Sequence, residues 1–268
     1  MSTRHNPLHR LPTERLRFVR LPSRGLVLGA IAAVIWFAVG THAVMAAEPI
    51  RVLLTVGGHG FQEKEFFAMW DSLPGIRYEK AVLPEEADRL APGLETKFDV
   101  IARYDMVPAF SPKQRENFVA LLERGIGLVA LHHNLGAHRN WPEYRKIIGG
   151  AYLFEPLKID DQTYGPSTYS HGEDLHVTIA ATNHPITQGL KAFTIHDEAY
   201  KNYYLAESVQ LLLKTDTAVN DPSIAWTTHY GNSRVVYLQL GHDSLAWRHP
   251  MYPELLVRSI RWAAEGTK

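Results

Sequence analysis

Cysteine is absent from all 268 residues. That absence removes thiol nucleophiles, CxxC redox pairs and thiolate-bound zinc, and it leaves the core to hold the fold without disulfides. Charge is missing locally: from Gly25 to Ala47 there is no Lys, Arg, Asp or Glu. The stretch before it carries Arg4, Arg10, Arg15, Arg17, Arg20 and Arg24 against a single acid, Glu14. A basic start, an apolar block and the small residues of Val44-Met45-Ala46-Ala47 predict a secretory signal over residues 1–47, cleaved near Ala46 or Ala47. The 23 uncharged residues would also span a bilayer at about 1.5 Å per residue, so an uncleaved anchor over residues 25–47 is the alternative. No two arginines are adjacent, which gives the twin-arginine route no support. Both readings expect residues 48–268 to work outside the cytoplasm, in the periplasm or beyond, with the membrane as a partner only through an uncleaved N-terminus.

Basic clusters are lacking as well. The whole chain balances 28 basic against 28 acidic residues, but residues 48–268 hold 22 against 27, a formal charge of −5. Nucleic acid is therefore not an expected partner. No nucleotide or flavin motif occurs, no HExxH, and no Gly-x-Ser-x-Gly at a strand–helix turn. What is plentiful is histidine, 14 in the chain and 11 of them after residue 47.

The patterning predicts strands alternating with helices. Ile50–Val56 is an apolar, β-branched run closed by Gly57-Gly58, and residues 76–83 and 98–105 read as further strands. Residues 63–73 place Phe66, Phe67, Trp70 and Leu73 at helical spacing. "SPKQRENFVALLERG" is a bounded helix, with Ser111 as N-cap, Pro112 in the first turn, Gln114 completing a capping box and Gly125 closing it. Leu128–Leu131 is a fourth strand. Strand-like runs follow at 175–181, 193–200, 209–215, 223–231 and 234–241, then a last helix from Pro253 with Leu256, Ile260 and Ala263 on one face. One α/β domain over residues 48–268 is expected, a three-layer α/β/α sandwich on a mainly parallel central sheet.

In such a sheet, ligands bind beyond the carboxyl ends of the strands. The residues found there are His59 after the first strand, Asp105 after the third and His132-His133 after the fourth. "TIHDEAYK" adds Asp197, Glu198 and Tyr200, and "YLQLGHD" adds His242 and Asp243. Adjacent residues of a strand point to opposite faces, so His132, first after the apolar run, is the expected site histidine unless the chain turns between the pair. Singly, each has an ordinary structural reading: a satisfied core histidine, a charged loop, or a capping aspartate for Asp243. Converging on one edge, they predict a pocket of imidazoles and carboxylates. Imidazoles and carboxylates serve as general acids and bases near neutral pH, and they leave room for a divalent metal, zinc or similar, with His132 and His242 as ligands from separate loops.

"VLLTVGGHGF", "GLVALHH", "STYSHG", "HPITQGL", "DEAY" and "YLQLGHD", in this order and at these separations, resemble the ThuA-like (trehalose utilisation) family of the class I glutamine amidotransferase-like superfamily. The resemblance runs over nearly all of residues 48–268. It implies a flavodoxin-like fold and a role in catabolism of trehalose, related disaccharides or their 3-keto derivatives. It carries over His59, His132, His171, Asp197, Glu198, Tyr200, His242 and Asp243; His171 enters through this match alone, and where the pattern usually has an acid soon after that histidine, Gly172 intervenes here before Glu173. It places Leu131-His132 where true amidotransferases keep their cysteine, so glutamine hydrolysis by that route is excluded.

The expected activity is acid–base chemistry on a small sugar: isomerisation, elimination or cleavage. His132 and His242 would be ligands or proton carriers, Asp197 or Glu198 the base, and His59, His171, Tyr200, Asp243 and Asp105 substrate-binding groups. A non-catalytic carbohydrate-binding or sensory protein on the same fold is the alternative. Trp141, Tyr169, Tyr200 and Trp247 are candidate stacking surfaces for sugar rings, with core packing the simpler reading of Trp141.

Overall fold

The nine strands of the main sheet are β1 (Ile50–Gly57), β2 (Ile76–Val82), β3 (Val100–Asp105), β4 (Gly127–Leu131), β5 (Thr168–Ile179), β6 (Phe193–Lys201), β7 (Gln210–Thr215), β8 (Ser223–Tyr230) and β9 (Ser233–Leu238). Their spatial order is β2-β1-β3-β4-β9-β8-β7-β5-β6. The computed structural model describes residues 48–159 and 161–267, with Arg15, Phe18 and Val19 as isolated positions. The expected signal or anchor otherwise lies outside the described residues. No helix among the described residues is long and apolar enough to cross a membrane.

The sheet is α/β as expected, but mixed. β2, β1, β3, β4 and β9 run parallel, whereas β9-β8-β7-β5-β6 pair antiparallel. The parallel half is the part where helices intervene between strands; the later strands follow one another directly and so can return antiparallel. Alternation along β1 separates two cores. Val52, Leu54 and Val56 face α1 (Glu63–Asp71) and the C-terminal helix, while Leu53 joins the cluster on the other side. That second cluster holds Phe118, Leu121 and Leu122 of α2 (Pro112–Glu123) and Tyr144, Ile147 and Ile148 of α3 (Pro142–Ile148).

The capping box of α2 is present: Gln114 N donates to Ser111 Oγ at 3.3 Å and Ser111 N donates to Gln114 Oε1 at 3.0 Å. The short helix α4 (Ser244–Arg248) precedes the last helix, α5 (Met251–Ala264), which buries Leu256, Ile260 and Ala263 completely. Gly127, where β4 begins, has a packing reason: a Cβ there would lie 2.7 Å from the carbonyl oxygen of Ala263. The carboxyl ends of β1, β3, β4 and β9 therefore share one edge, and the polar residues gather there.

Candidate active site

β4 is buried along its whole length and ends in a turn rather than a loop. His132 takes φ +47, and a 3-10 turn runs from His132 to Gly136. A non-glycine residue in this region costs about 1–3 kcal/mol, and it persists only where neighbours hold it. The hydroxyl of Tyr237 donates to the His132 carbonyl at 2.9 Å, and His132 Nδ1 lies 2.6 Å from the Gln239 carbonyl. The opposite ring atom, Nε2, is 2.9 Å from Glu198 Oε2, 3.0 Å from the Tyr200 hydroxyl and 3.1 Å from His242 Nδ1. His242 Nδ1 is itself 3.4 Å from the same Glu198 oxygen.

The chain turns immediately after β4, so both histidines of the pair reach the site. His133 lines a cavity beside His132, donates from Nε2 to the Tyr104 carbonyl at 3.1 Å, and stacks on His59 with ring centres 4.5 Å apart. Burial and the neighbouring imidazoles of His132 and His59 hold its pKa well below the usual histidine value, so it stays neutral.

Glu198 arrives on β6, opposite a bulge in β5. Ser170 pairs with Ala199 and Glu173 with Asp197, which leaves His171 and Gly172 facing the single residue Glu198. Gly172 supplies the φ of +74 that the bulge needs, and His171 Nδ1 reaches Glu198 Oε1 at 3.2 Å. Gly172 thus separates His171 from Glu173 for a structural reason. Glu173 accepts from the Ser170 hydroxyl at 2.5 Å. Burial raises the Glu198 pKa, but hydrogen bonds from His132 and His242 outweigh it and hold the carboxyl well below the ordinary range. Those bonds in turn raise His242 above an ordinary histidine, chiefly through Glu198.

The cavity, of about 250 Å³, is lined by His59, His133, His171, Glu198 and Tyr200, with Met106, Gly136, Tyr152, Phe154 and Tyr169 around them. The expected aspartates stand elsewhere. Asp105 is fully buried, paired with Arg103 at 2.5 Å and accepting from Thr55, and it does not line the cavity. Asp197 accepts from the backbone N–H groups of Glu198, Gly241 and His242 at 2.8, 2.7 and 3.0 Å, so it holds the His242 loop in place. Burial pushes its carboxyl up against the opposing pull of His132 and those N–H groups. Asp243 caps α4, accepting from Leu245 N and Ala246 N. Trp141 and Trp247 pack in the core, whereas Tyr169 stands 61% exposed at the cavity rim.

Reading by residue type missed Gln239, because it acts through its backbone carbonyl. It also missed the third donor of the candidate metal set, since Glu198 stood there as a base. His132, Glu198 and His242 form the three-residue group whose ligand atoms lie within 4.8 Å of one another. The set fits a divalent ion on two counts. A tetrahedral site with bonds of about 2.0–2.1 Å puts donors about 3.3 Å apart, close to the 2.9, 3.1 and 3.4 Å found here. Gln239 occupies His132 Nδ1, the outer hydrogen bond that orients a ligating imidazole.

Solved structures show the same fold. A ThuA-like protein from Parabacteroides merdae superposes with a TM-score of 0.68 at 17% identity, over 81% of this chain and 91% of that one. A ThuA-like protein from Bacteroides uniformis gives 0.62 at 21%, over 84% and 95%. A β-galactosidase from Bacillus circulans sp. alkalophilus gives 0.51 at 11%, over 80% of this chain but only 30% of its own. No curated protein sequence matches the chain. Residues 88–263, spanning the elbow at His132, the bulge at His171 and the His242 loop, match the sequence profile described as ThuA, trehalose utilisation, and the chain belongs to that family.

Proposed function

We propose that this chain is an exported carbohydrate-modifying enzyme whose cavity works by acid–base chemistry beside a divalent metal held by His132, Glu198 and His242. One observation carries the reading. His132 Nε2, Glu198 Oε2 and His242 Nδ1 meet at 2.9–3.4 Å while His132 Nδ1 already faces a carbonyl oxygen. Lone-pair atoms crowded in this way need protons or a cation between them. A divalent ion there would supply Lewis-acid polarisation of a sugar carbonyl or hydroxyl oxygen.

The chain's own groups do the rest. His171 is exposed at the cavity and touches Glu198, so it can take a proton from a bound sugar or return one. His59 lines the cavity, and because its Nδ1 bonds the Gly60 carbonyl at 2.7 Å, Nε2 is the nitrogen left for a ligand. Tyr152 and Tyr169 offer ring faces and hydroxyls for orienting a sugar, while Tyr200 lines the cavity with its hydroxyl held at His132 Nε2. Proton abstraction next to a keto group suits this arrangement, and it covers isomerisation, elimination and cleavage. The two-carboxylate glycosidase pattern is disfavoured because Asp197 is committed to backbone N–H groups.

The test is metal content by mass spectrometry, with turnover of trehalose and 3-keto-disaccharides, for wild type, His132→Ala and Glu198→Gln. Near-stoichiometric metal and turnover in wild type, both lost in the variants, are expected. Turnover indifferent to His132→Ala would overturn the assignment. Sugar binding without turnover would establish the non-catalytic binding role instead.

A further inference from the structure

A second cavity, of about 280 Å³, opens on the far side of Tyr152, which lines both. Its polar lining is His138, Arg139, Asn140, Trp141, Tyr144, Arg145 and Tyr152; the other lining residues are apolar or glycine, and no carboxylate is among them. That is unusual in a chain whose residues 48–268 carry a net charge of −5. Among the described residues, neither Arg139 nor Arg145 has an acidic partner. Arg139 instead sits over the Phe154 ring, its guanidinium carbon 3.5 Å from the ring centre, and Arg145 sits over Tyr204 at 5.4 Å. A stacked guanidinium keeps its N–H edge free, and that edge matches the geometry of carboxylate and phosphate oxygens.

A second, independent feature points the same way. His138 is 2% exposed, lines this cavity, and leaves both ring nitrogens without a hydrogen-bond partner. A buried polar group without a partner costs about 1–3 kcal/mol, so an orphaned imidazole on a cavity wall beside two unpaired guanidinium groups marks a place for a ligand atom. Burial, reinforced by Arg103 and Arg115, pushes its pKa down to about 2, so the ring is neutral and keeps one N–H to donate. We propose that this cavity binds the oxyanion group of a small metabolite, phosphate or carboxylate, gripped by Arg139 and Arg145 with a neutral N–H from His138. Tyr152, which lines both cavities, places that anion beside the first pocket. The occupant is either the charged end of a sugar phosphate or sugar acid, or a free anion acting as an effector.

The purified chain would be titrated calorimetrically with inorganic phosphate, gluconate and glucose 6-phosphate, at low and at high sodium chloride. Saturable binding that weakens with salt is expected, and Arg139→Gln/Arg145→Gln should weaken it roughly tenfold or more, the scale of losing charge-assisted hydrogen bonds. Tighter binding of glucose 6-phosphate than of phosphate would identify a ligand that reaches past Tyr152; equal affinity would identify a free-anion site. Absence of saturable binding for all three, or binding unchanged in the double variant, would overturn the proposal. Neither arginine touches the candidate metal ligands, so metal content and sugar turnover report separately on the reading given above.

Discussion

His138 should make the fold measurably acid-sensitive, and the size of the effect follows from its surroundings. Its ring is packed against Phe110 and Tyr144, with centres 4.2 and 4.6 Å apart, and both nitrogens lack partners. Burial first, then Arg103 and Arg115, push its pKa down to about 2, against about 6.5 in an unfolded chain. Between those values the unfolded state binds the proton and the folded state does not, so stability falls as pH falls, by about 1.4 kcal/mol per unit. From pH 7.5 to 4.5 the loss integrates to about 2.7 kcal/mol, and a folded value one unit higher changes it little. The perturbation is His138→Asn, because asparagine tolerates the φ of +52 at this position. Its cavity and strain costs are the same at both pH values and cancel. Urea unfolding of wild type and variant at pH 7.5 and 4.5 gives four free energies, and wild type should lose about 2–3 kcal/mol more than the variant between the two. Equal losses would show that His138 is solvated or paired, and the account of its environment would fail.

Three further outcomes are expected. Gly241→Ala should cost about 2 kcal/mol or more by urea unfolding, since φ is +114 and the new Cβ would lie 2.5 Å from the Tyr252 ring; an unchanged midpoint would contradict that packing. Arg103→Met strands Asp105 in a site with no solvent exposure and should lower stability by about 3–5 kcal/mol, read from the same transition, whereas a loss under about 1 kcal/mol would mean water reaches the pair. Asp197→Asn gives up charge-assisted acceptance from Gly241 and His242, so metal affinity measured by chelator competition should fall about 10–100-fold with the fold retained; unchanged affinity would mean the loop is held by other contacts.

The fold class was legible because β1, β3 and β4 are apolar runs of strand length and α2 carries its own start and stop signals. The mixed sheet was not, because strand direction depends on what connects the strands and not on their composition. The site was legible in part for the same reason. His132, Glu198 and His242 each stand at a place where periodicity breaks and polar chemistry begins. His171 was invisible to spacing: it points at Glu198 only because a bulge sets two residues opposite one, a fact of pairing between two strands and not of either run alone. Asp197 and Glu198 are alike in type and adjacent, yet one accepts from backbone N–H groups and the other meets two imidazoles. Side-chain identity cannot assign those roles, since the deciding partners are the amides of Gly241 and His242. Arg139 and Arg145 went unnoticed because a pair of arginines is significant only where no acid faces them.

The strained residue at the end of β4 bears on what kind of chemistry the site can perform. Where a strand turns sharply into a helix, strain lifts one side chain clear of the backbone, the arrangement hydrolases use to expose a nucleophile. Here the lifted group is an imidazole and it is not exposed at all. Glu198, Tyr200 and His242 surround its Nε2 at 2.9–3.1 Å, and Nδ1 is taken by Gln239. An attacked carbon would need to stand about 3–3.5 Å from that nitrogen in line with its lone pair, and those three side chains already occupy the approach. A small cation fits among such atoms where a carbon with substituents does not. An elbow built this way suits a ligand or a proton carrier better than a nucleophile, and the backbone conformation at His132 aims one nitrogen at Glu198 and His242.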